Sequence, residues 1–501
     1  MRLPQQLSPK GRLLFLARDT AVYGVGEALN RGLALITFPL LARHFSVAEF
    51  GIIDLLTTCV VLLVVLLVFG QDSASVRYFY ETDDPATRRQ VISQSFAFEI
   101  AVMLMILPPL WIFAGPIADL LGLPTANGAL LVRLIILQAP FFVLVNLSQA
   151  LLKWTFRRWL FLFMAVGTAV CTLAGLAISL LFFELDIVGV FIVYFAVRAT
   201  FGLLGLWFVR EWLAIPADTR QLRQLLPFAV SFGIICVIAS AMPVLERWLV
   251  GSLVSAEGLG LYAAGAKVAM LLSLAINAIE TSWGPFSLAM YREENATRTY
   301  NHVLKAVCLL LFSIVLGLAA FSDYIVSLLG SSRYSGAGIV TFPLCFGLAV
   351  HAICSVTGVG IVFSKQAHLK LYSYAVLLLV AMVAIPVLAS LYGIAGAAWG
   401  SAAAFAAKTL VETRLAQRAY PIAWHYRATL ILAFLTVGIG IAHQATFGRF
   451  ELSGVSLIPL VGAAFLVVMG WFVLLDAEER RTVAALIRRR LGRRERSADA
   501  G

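Results

Sequence analysis

Residues 51–70, GIIDLLTTCVVLLVVLLVFG, form a stretch that is long enough and apolar enough to cross a bilayer as one helix. Asp54 is its only charged side chain. The whole chain has a similar character, since 61% of its 501 residues are hydrophobic and 13% are charged, against about a quarter charged in ordinary soluble domains. The bilayer must therefore be the main solvent, and the sequence predicts an all-α integral membrane protein.

Similar apolar stretches recur along almost the entire chain. A transmembrane helix needs about 20 apolar residues, and this spacing predicts about 14 of them. They lie at 19–42, 51–70, 91–114, 128–151, 159–183, 187–208, 225–248, 258–283, 302–322, 338–362, 371–391, 393–412, 427–445 and 454–475. The loops between them are short, which leaves no room for a large soluble domain. All six cysteines lie inside apolar runs and are expected to be neither disulfide-bonded nor metal-binding.

Positive charges are distributed unequally between the two sides of the predicted membrane. Of the 38 Lys and Arg residues, 29 fall on the side that holds both chain ends, and four fall on the other side (Arg43, Arg247, Arg333 and Arg449). Cytoplasmic segments carry such an excess. The sequence therefore predicts that both termini are cytoplasmic.

Two short motifs occupy equivalent places in the two halves of the chain. Ser46-Val-Ala-Glu-Phe-Gly51 precedes the second predicted helix, and Ser255-Ala-Glu-Gly-Leu-Gly260 precedes the eighth. A Ser and a Gly at this spacing are also common at helix starts in general. The offset of six helices favours a duplicated half, with both copies in one orientation and a substrate site at their interface. The expected segments are a cytoplasmic N-terminus (1–18), an N-lobe of helices 1–6 (19–210), a cytoplasmic linker (211–224), a C-lobe of helices 7–12 (225–412), helices 13–14 (413–475) and a basic cytoplasmic tail (476–501).

Several segments resemble the polysaccharide transporter (Wzx-type) family, over roughly residues 10 to 415. In the first half they are LITFPLLARHFSVAEFG (35–51), Phe69-Gly70 and VRYFY (76–80); in the second half they are LERWLVG (245–251), GLYAAGAK (260–267) and LLGSSRY (328–334). The family belongs to the multidrug, oligosaccharidyl-lipid and polysaccharide (MOP) exporter superfamily. The resemblance implies a V-shaped, two-lobe transporter that moves undecaprenyl-linked saccharides outward across the bacterial inner membrane. The basic tail and the pair of helices 13 and 14 depart from the family, and the pair is similar to that of lipid-linked murein precursor flippases.

Ionisable residues deep in the predicted spans are the candidate site residues. Each costs about 2.5 to 3.5 kcal/mol in the bilayer and therefore needs a partner or a wet cavity. A pyrophosphate-linked lipid needs Arg or Lys donors. The side chains expected to form a cationic substrate-binding cavity are Arg31, Arg133, Arg198 and Lys267. Those expected to support or gate it are Glu27, Asn30 and Glu99.

Structural roles compete with these assignments. Glu27 and Arg31 are four residues apart and can form a structural ion pair on one helix face. Arg133 is close enough to a helix end for its guanidinium to reach the interface, and interface anchoring is the interpretation preferred for Lys408. Glu99 has no basic neighbour along the sequence, which indicates either a partner on another helix or a protonated carboxyl.

Three kinds of function are compared. The first is a flippase for undecaprenyl-pyrophosphate-linked oligosaccharide (an O-antigen, capsule or exopolysaccharide repeat unit) that works by alternating access. The second is a multidrug or metabolite exporter of the same superfamily, for which an acidic cavity is expected. A membrane enzyme is disfavoured, because the outer loops are short and the sequence shows neither a metal-ligand cluster nor a nucleophile and base.

The expected partners follow from the flippase hypothesis. They are the lipid-linked oligosaccharide, the lipid bilayer and, as candidate protein partners, a polysaccharide polymerase and chain-length machinery. No nucleic acid is expected. No cofactor is expected either, and the phosphate-binding pattern G-x-x-x-x-G-K-[ST] does not occur.

Overall fold

The structure is a computed structural model and is almost entirely helical, which confirms the predicted all-α class. It describes residues 24, 26, 29, 32, 33, 36–123, 126–183, 185–447, 451–452 and 455–469. The only strands within these ranges are β1 (Glu451–Leu452) and β2 (Val455–Ser456), which pair antiparallel just before the last helix.

The first half of the chain forms eight helices after the helical residues 36–44. They are α1 (Val47–Val68), α2 (Gln71–Glu81), α3 (Pro85–Ile112), α4 (Ala114–Leu120), α5 (Gly128–Trp154), α6 (Arg158–Phe182), α7 (Ile187–Val209) and α8 (Arg220–Leu253), with a short 3-10 helix at Arg210–Trp212.

The second half forms eight more. They are α9 (Ala256–Ala269), α10 (Leu272–Met290), α11 (Ala296–Leu329), α12 (Gly338–Thr357), α13 (Val359–Phe363), α14 (Leu369–Ala419), α15 (Tyr426–Ala445) and α16 (Leu457–Met469), with a 3-10 helix at Ser332–Tyr334.

Local sequence explains where several helices begin. Ser46 and Glu49 form a capping box at the start of α1: the Ser46 hydroxyl accepts the amide proton of Glu49, and the Glu49 carboxylate accepts that of Ser46. Asp84 caps α3 by accepting the amide protons of two residues in its first turn, behind Pro85 at the first helical position. These contacts satisfy amide groups that helix geometry leaves without partners.

Ten helices of the described ranges are long and apolar enough to cross a membrane, or eleven if α9 and α10, which are bent by 43°, form one span. The chain is therefore a multi-pass membrane protein. The count of fourteen stays a prediction, since half of the residues of the first predicted helix and the end of the fourteenth lie outside the described residues.

Helix α14 reverses direction at Gly393. A straight helix of its 51 residues measures about 76 Å, far more than the roughly 30 Å core of a bilayer. Gly393 has a φ of 59° and a ψ of −140°, a conformation that glycine adopts readily. In a straight helix, two residues that are eight positions apart lie about 12 Å apart along the axis. Here a Cβ on Gly396 would instead collide with the carbonyl oxygen of Leu388. The chain therefore folds back on itself at Gly393. The turn lies between the predicted helices at 371–391 and 393–412.

The chain divides into two compact units. Unit 1 comprises Met1–Ala264, Leu329–Tyr334 and Ala381–Ala397; unit 2 comprises Gly265–Leu328, Ser335–Val380 and Ala398–Gly501. One core of unit 1 gathers around the buried side chains Phe79, Leu151, Phe161 and Met164. In unit 2, the rings of Phe312, Phe346 and Phe342 stack in series. The predicted lobe bounds stay predictions.

Candidate functional site

The two copies of the repeated motif lie against each other in unit 1. A Cβ added to Gly51 would lie 2.7 Å from the backbone nitrogen of Gly260, and one added to Gly260 would collide with the carbonyl oxygen of Val47. Only glycine permits this approach of two backbones. Ser255 accepts the amide proton of Gly258 at 2.9 Å, as Ser46 accepts that of Glu49. We call this junction of residues 46–51 and 255–260 the repeat contact.

Aromatic side chains surround one side of the repeat contact. The rings of Phe38, Phe50 and Tyr334 lie within 5.2 to 6.3 Å of one another, measured between centroids, and all three are buried. Arg333 fixes the segment that carries Tyr334 by donating to the carbonyl oxygen of Arg43 at 2.7 Å. Segments from both halves of the sequence therefore pack against each other beside the repeat contact.

A buried ion cluster joins α1 to α8 in the same unit. The Nε of Arg247 donates to Oδ2 of Asp54 at 2.6 Å, and its Nη1 lies 3.8 Å from Glu246. The side chains of all three are at most 9% exposed. Arg247, which the sequence places among the four basic residues of the outer side, is buried, because α8 extends to Leu253; its side of the membrane stays a prediction. Sequence reasoning missed the pair, although a lone Asp54 in an apolar span calls for a buried cation.

A cavity of about 210 Å³ lies between α1, α2, α3, α5 and α8 of unit 1. Its charged lining residues among the described part of the chain are Asp72 and Glu99, with no Lys or Arg. Asp72 and Asn146 are exposed, whereas Glu99 is 4% exposed. We call it the acidic cavity. Its remaining lining is Val64, Val65, Val68, Gly70, Gln71, Ser75, Ile92, Ser95, Val143, Leu147, Ala150, Trp154 and Cys236.

Close packing brings α8 to the acidic cavity. Gly70, which joins α1 to α2, has a φ of 76°, and a Cβ there would lie 2.5 Å from the carbonyl oxygen of Ala229 and 2.8 Å from the nitrogen of Gly233. A glycine is therefore required for both the conformation and the contact. As a result Cys236, about one turn beyond Gly233, lines the cavity from α8.

Arg133 and Arg198, two of the predicted cationic residues, do not line the acidic cavity. Arg198 donates to the side-chain oxygen of Gln138 and lies over the rings of Phe142 and Tyr194, 4.2 and 5.5 Å from their centroids. Arg133 is exposed and lies 5.7 Å from the centroid of Trp111. No hydrogen bond or ion pair joins these two residues to each other or to Glu99 within the described part of the chain.

Of the remaining candidate residues, the structure describes one and leaves three outside the described ranges. Lys267 is half-buried near the end of α9 and belongs to unit 2. Glu27, Asn30 and Arg31 lie outside the described residues, so their predicted pairing and their place in a cavity stay predictions.

A second buried charge cluster lies in unit 2. The ammonium of Lys408 is 2.8 Å from Oε2 of Glu412 and 3.2 Å from Nδ1 of His351. Ser373 also donates to Oε2 of Glu412, at 2.9 Å. Lys408 is 3% exposed, so the prediction that it anchors at the membrane interface is wrong: the carboxylate one turn later along α14 holds it inside the protein.

The fold is shared with several solved transporter structures. One is the lipid II flippase MurJ in an inward closed conformation, with a TM-score of 0.69, 14% identity, and coverage of 90% of this chain and 97% of that one. Another is an inward-facing multidrug resistance MATE family transporter of the MOP superfamily, with a TM-score of 0.59, 12% identity, and coverage of 77% and 93%. The chain is thus a multi-pass helical membrane protein with the MOP exporter fold.

Sequence comparison then identifies the family. The family model described as "Polysaccharide biosynthesis protein" matches residues 16–291, which is more than half of the chain, and the chain belongs to this family. The succinoglycan biosynthesis transport protein ExoT of Rhizobium meliloti is 26% identical over 338 residues, covering 65% of this chain and 64% of ExoT. The chain covers just under two thirds, 64% or 65%, of the length of the curated relatives it matches.

Proposed function

We propose that the chain moves an undecaprenyl-pyrophosphate-linked oligosaccharide from the inner to the outer leaflet of the bacterial inner membrane by alternating access. The carried group would be an O-antigen, capsule or exopolysaccharide repeat unit. Family membership supports this, as do the similarity to a protein named for succinoglycan biosynthesis transport and the fold shared with a lipid II flippase. In this role the chain is a transporter and not an enzyme.

The repeat contact is the observation that carries the proposal. Alternating access requires one end of a transport path to close while the other is open. The glycine-to-glycine packing of Gly51 and Gly260 joins the two sequence halves closely. The buried ion pair of Asp54 and Arg247 is a second, separate contact, and Asp54 follows Gly51 by one helical turn. A junction of this kind can separate as a unit, which favours a gate over a permanent core.

Electrostatics support an anionic passenger. Arg198 is held by an amide and two aromatic rings, so its positive charge is not cancelled by a hydrogen-bonded carboxylate among the described residues. We assign Arg31, Arg133 and Lys267 to the same pathway. With an inside-negative potential, outward movement of two negative charges gains about 4 to 5 kcal/mol per 100 mV. This driving force needs no nucleotide.

The acidic cavity favours a second candidate function. A site lined by Asp72 and Glu99, without a basic side chain, suits a cationic guest. Export of cationic drugs or metabolites on the same fold would use such negative charge to attract its substrate. The two functions predict opposite charges on the transported molecule, so one reconstituted preparation distinguishes them.

The test is a flipping assay in proteoliposomes with a polyprenyl-pyrophosphate oligosaccharide, read out by exposure of the glycan to a membrane-impermeant glycosidase. We expect flipping by the unmodified protein and a large loss in Arg198→Ala. Arg210→Ala is the matched control, since Arg210 is exposed on the same stretch of chain and also lies over an aromatic ring. Absence of flipping together with efflux of a cationic dye would establish the second function and reject the first.

We also place both termini in the cytoplasm, as the charge distribution predicts. A polysaccharide polymerase and chain-length machinery are the proposed protein partners, because a flipped repeat unit must be polymerised on the far side. Accessibility of cysteines introduced at the ends of helices, measured in intact cells, tests this orientation. Labelling of Glu81→Cys from outside the cell would contradict it.

A further inference from the structure

The carboxylate of Glu99 is buried, and one of its oxygens lacks a hydrogen-bond donor among the described residues. It is 96% buried, taking the 4% exposure of the residue, and its Oε2 has no hydrogen-bond partner among the described residues. The hydroxyl one turn earlier cannot supply a proton, because Ser95 accepts from Ser75 at 2.9 Å and donates to Oε1 of Gln71 at 3.0 Å. A buried carboxylate without a donor is unstable unless a positive charge or a proton joins it.

Among the described residues, no positively charged side chain lines the acidic cavity beside Glu99. The acidic cavity is lined by no Lys, Arg or His, and its other titratable side chains are Asp72 and Cys236. Asp72 stands at the exposed part of the lining and Glu99 at the buried part. Two carboxylates in this order attract cations towards the buried end, since low-dielectric walls concentrate the field. The described residues therefore supply no compensating charge, and a cation from solution can supply it.

The size of the cavity selects among cations. Its volume of about 210 Å³ corresponds to about seven waters at roughly 30 Å³ each. Pockets for drug-sized molecules measure about 300 to 1,000 Å³. The acidic cavity is therefore too small for an oligosaccharide or a drug, and large enough for a metal cation that keeps part of its hydration shell.

The oxygen atoms of the lining narrow the choice of cation further. Carboxylate, amide and hydroxyl oxygens suit hard cations, and the lining supplies them from Glu99, Asp72, Asn146 and Ser75. One buried carboxylate needs one compensating charge, which favours a monovalent over a divalent ion. No group of three or more His, Cys, Asp or Glu side chains able to hold a metal occurs in the described ranges.

We propose that the acidic cavity is a binding site for a partly hydrated, hard monovalent cation, with Glu99 as its main ligand and Asp72 as the residue that attracts it. Because Cys236 lines the same cavity, the occupant contacts α8 as well as the helices that precede it. The site thus ties ion occupancy to the position of α8. It stands independently of the identity of the transported lipid.

The probe is sodium, tested on the full chain in lipid nanodiscs without any saccharide lipid. We measure binding of radiolabelled sodium at fixed pH and ionic strength, with N-methylglucamine as the replacement cation. We expect saturable binding of one ion per chain, abolished by Glu99→Gln and weakened several-fold by Asp72→Asn. Glu81→Gln is the control, since Glu81 is exposed on α2 and does not line the cavity.

A second readout uses the cysteine already present. In a variant that keeps Cys236 as its only cysteine, sodium should slow alkylation of Cys236 by a small thiol reagent, and Glu99→Gln should remove this protection. A folded protein that binds no sodium, or that binds it equally with Gln at 99, would overturn the proposal and identify Glu99 as a neutral carboxylic acid. Neither result bears on flipping, so failure here leaves the proposed function standing.

Discussion

Arg247 donates through Nε to Oδ2 of Asp54 at 2.6 Å and thereby joins helices whose residues are 193 apart in sequence. Both side chains are almost fully buried, at 7% and 1% exposure. Glu246 adds a second carboxylate at 3.8 Å from the same guanidinium. One guanidinium therefore contacts two buried carboxylates. Removing Arg247 should lower the stability of the protein more than removing Asp54 does.

The first prediction concerns this inequality. Arg247→Ala removes the guanidinium that two buried carboxylates contact and should cost about 3 to 5 kcal/mol of unfolding free energy. Asp54→Asn should cost less, because Glu246 still compensates Arg247. Unfolding in mixed micelles measures both. Arg77→Ala is the control: its pair with Glu81 is more than half exposed on each side, so it should cost no more than about 1 kcal/mol. Equal losses in Arg247→Ala and the control would contradict the prediction.

The second prediction concerns the repeat contact. Gly260→Ala introduces a methyl group that meets the backbone of Val47, which cannot move aside as a side chain can. We expect the two motifs to separate, with a lower melting temperature and faster labelling of a cysteine placed at Phe50. Gly317→Ala is the matched control, since Gly317 is also helical and a Cβ there meets nothing within 4 Å. That variant should be neutral or more stable, because Ala favours helix by about 1 kcal/mol over Gly.

The helices could be predicted from the sequence because apolar length depends only on local composition. The stretch at 51–70 became α1 within a few residues, and its earlier start at Val47 follows from the capping box of Ser46 and Glu49. The break at Gly393 was predicted as a boundary between two spans. What local composition does not contain is the partner of each helix, which depends on packing.

The site could be predicted less well for the same reason. The repeated motifs were found by their spacing, but their contact at Gly51 and Gly260 follows from packing alone. Charges in spans indicated candidates, yet Asp54 and Lys408 turned out to have buried partners on other turns or helices. A sum of charges along the sequence predicted a cationic cavity, whereas the acidic cavity collects only Asp72 and Glu99. Which charged side chains line a cavity depends on which face of each helix points inward.

The third prediction concerns pH at the start of α3. Hydrogen bonds from the Thr87 hydroxyl and from the amides of Thr87 and Ala86 hold the pKa of Asp84 below its usual 3.8. A lowered folded pKa means that Asp84 contributes its full stabilisation above the unfolded pKa and loses it as pH falls through the folded value. Amide exchange of Ala86 and Thr87 should accelerate relative to the middle of α3 as pH drops below about 4. In Asp84→Asn this extra pH dependence should vanish; its persistence would assign the effect to another group.

The fourth prediction concerns the buried cluster of unit 2. Lys408→Ala removes the cation at 2.8 Å from Glu412, which is itself 3% exposed, and leaves the donor of Ser373 and the distant Lys370 at 4.0 Å. Removing the close, buried partner of this carboxylate should cost about 3 to 5 kcal/mol of unfolding free energy. Lys370→Ala is the control, because its side chain is 39% exposed and its removal should cost at most about 1 kcal/mol.

A double variant separates charge from packing in this cluster. Lys408→Met together with Glu412→Leu removes both charges and nearly preserves volume, so most of the loss of Lys408→Ala should be recovered, since apolar replacement of a buried pair is often neutral or stabilising. Thermal melts of the single and double variants, run side by side, measure the recovery. If the double variant is as unstable as Lys408→Ala, the lost contacts of Lys408 with His351 and with the ring of Tyr374, 4.8 Å from its ammonium, carry the stability instead of the ion pair.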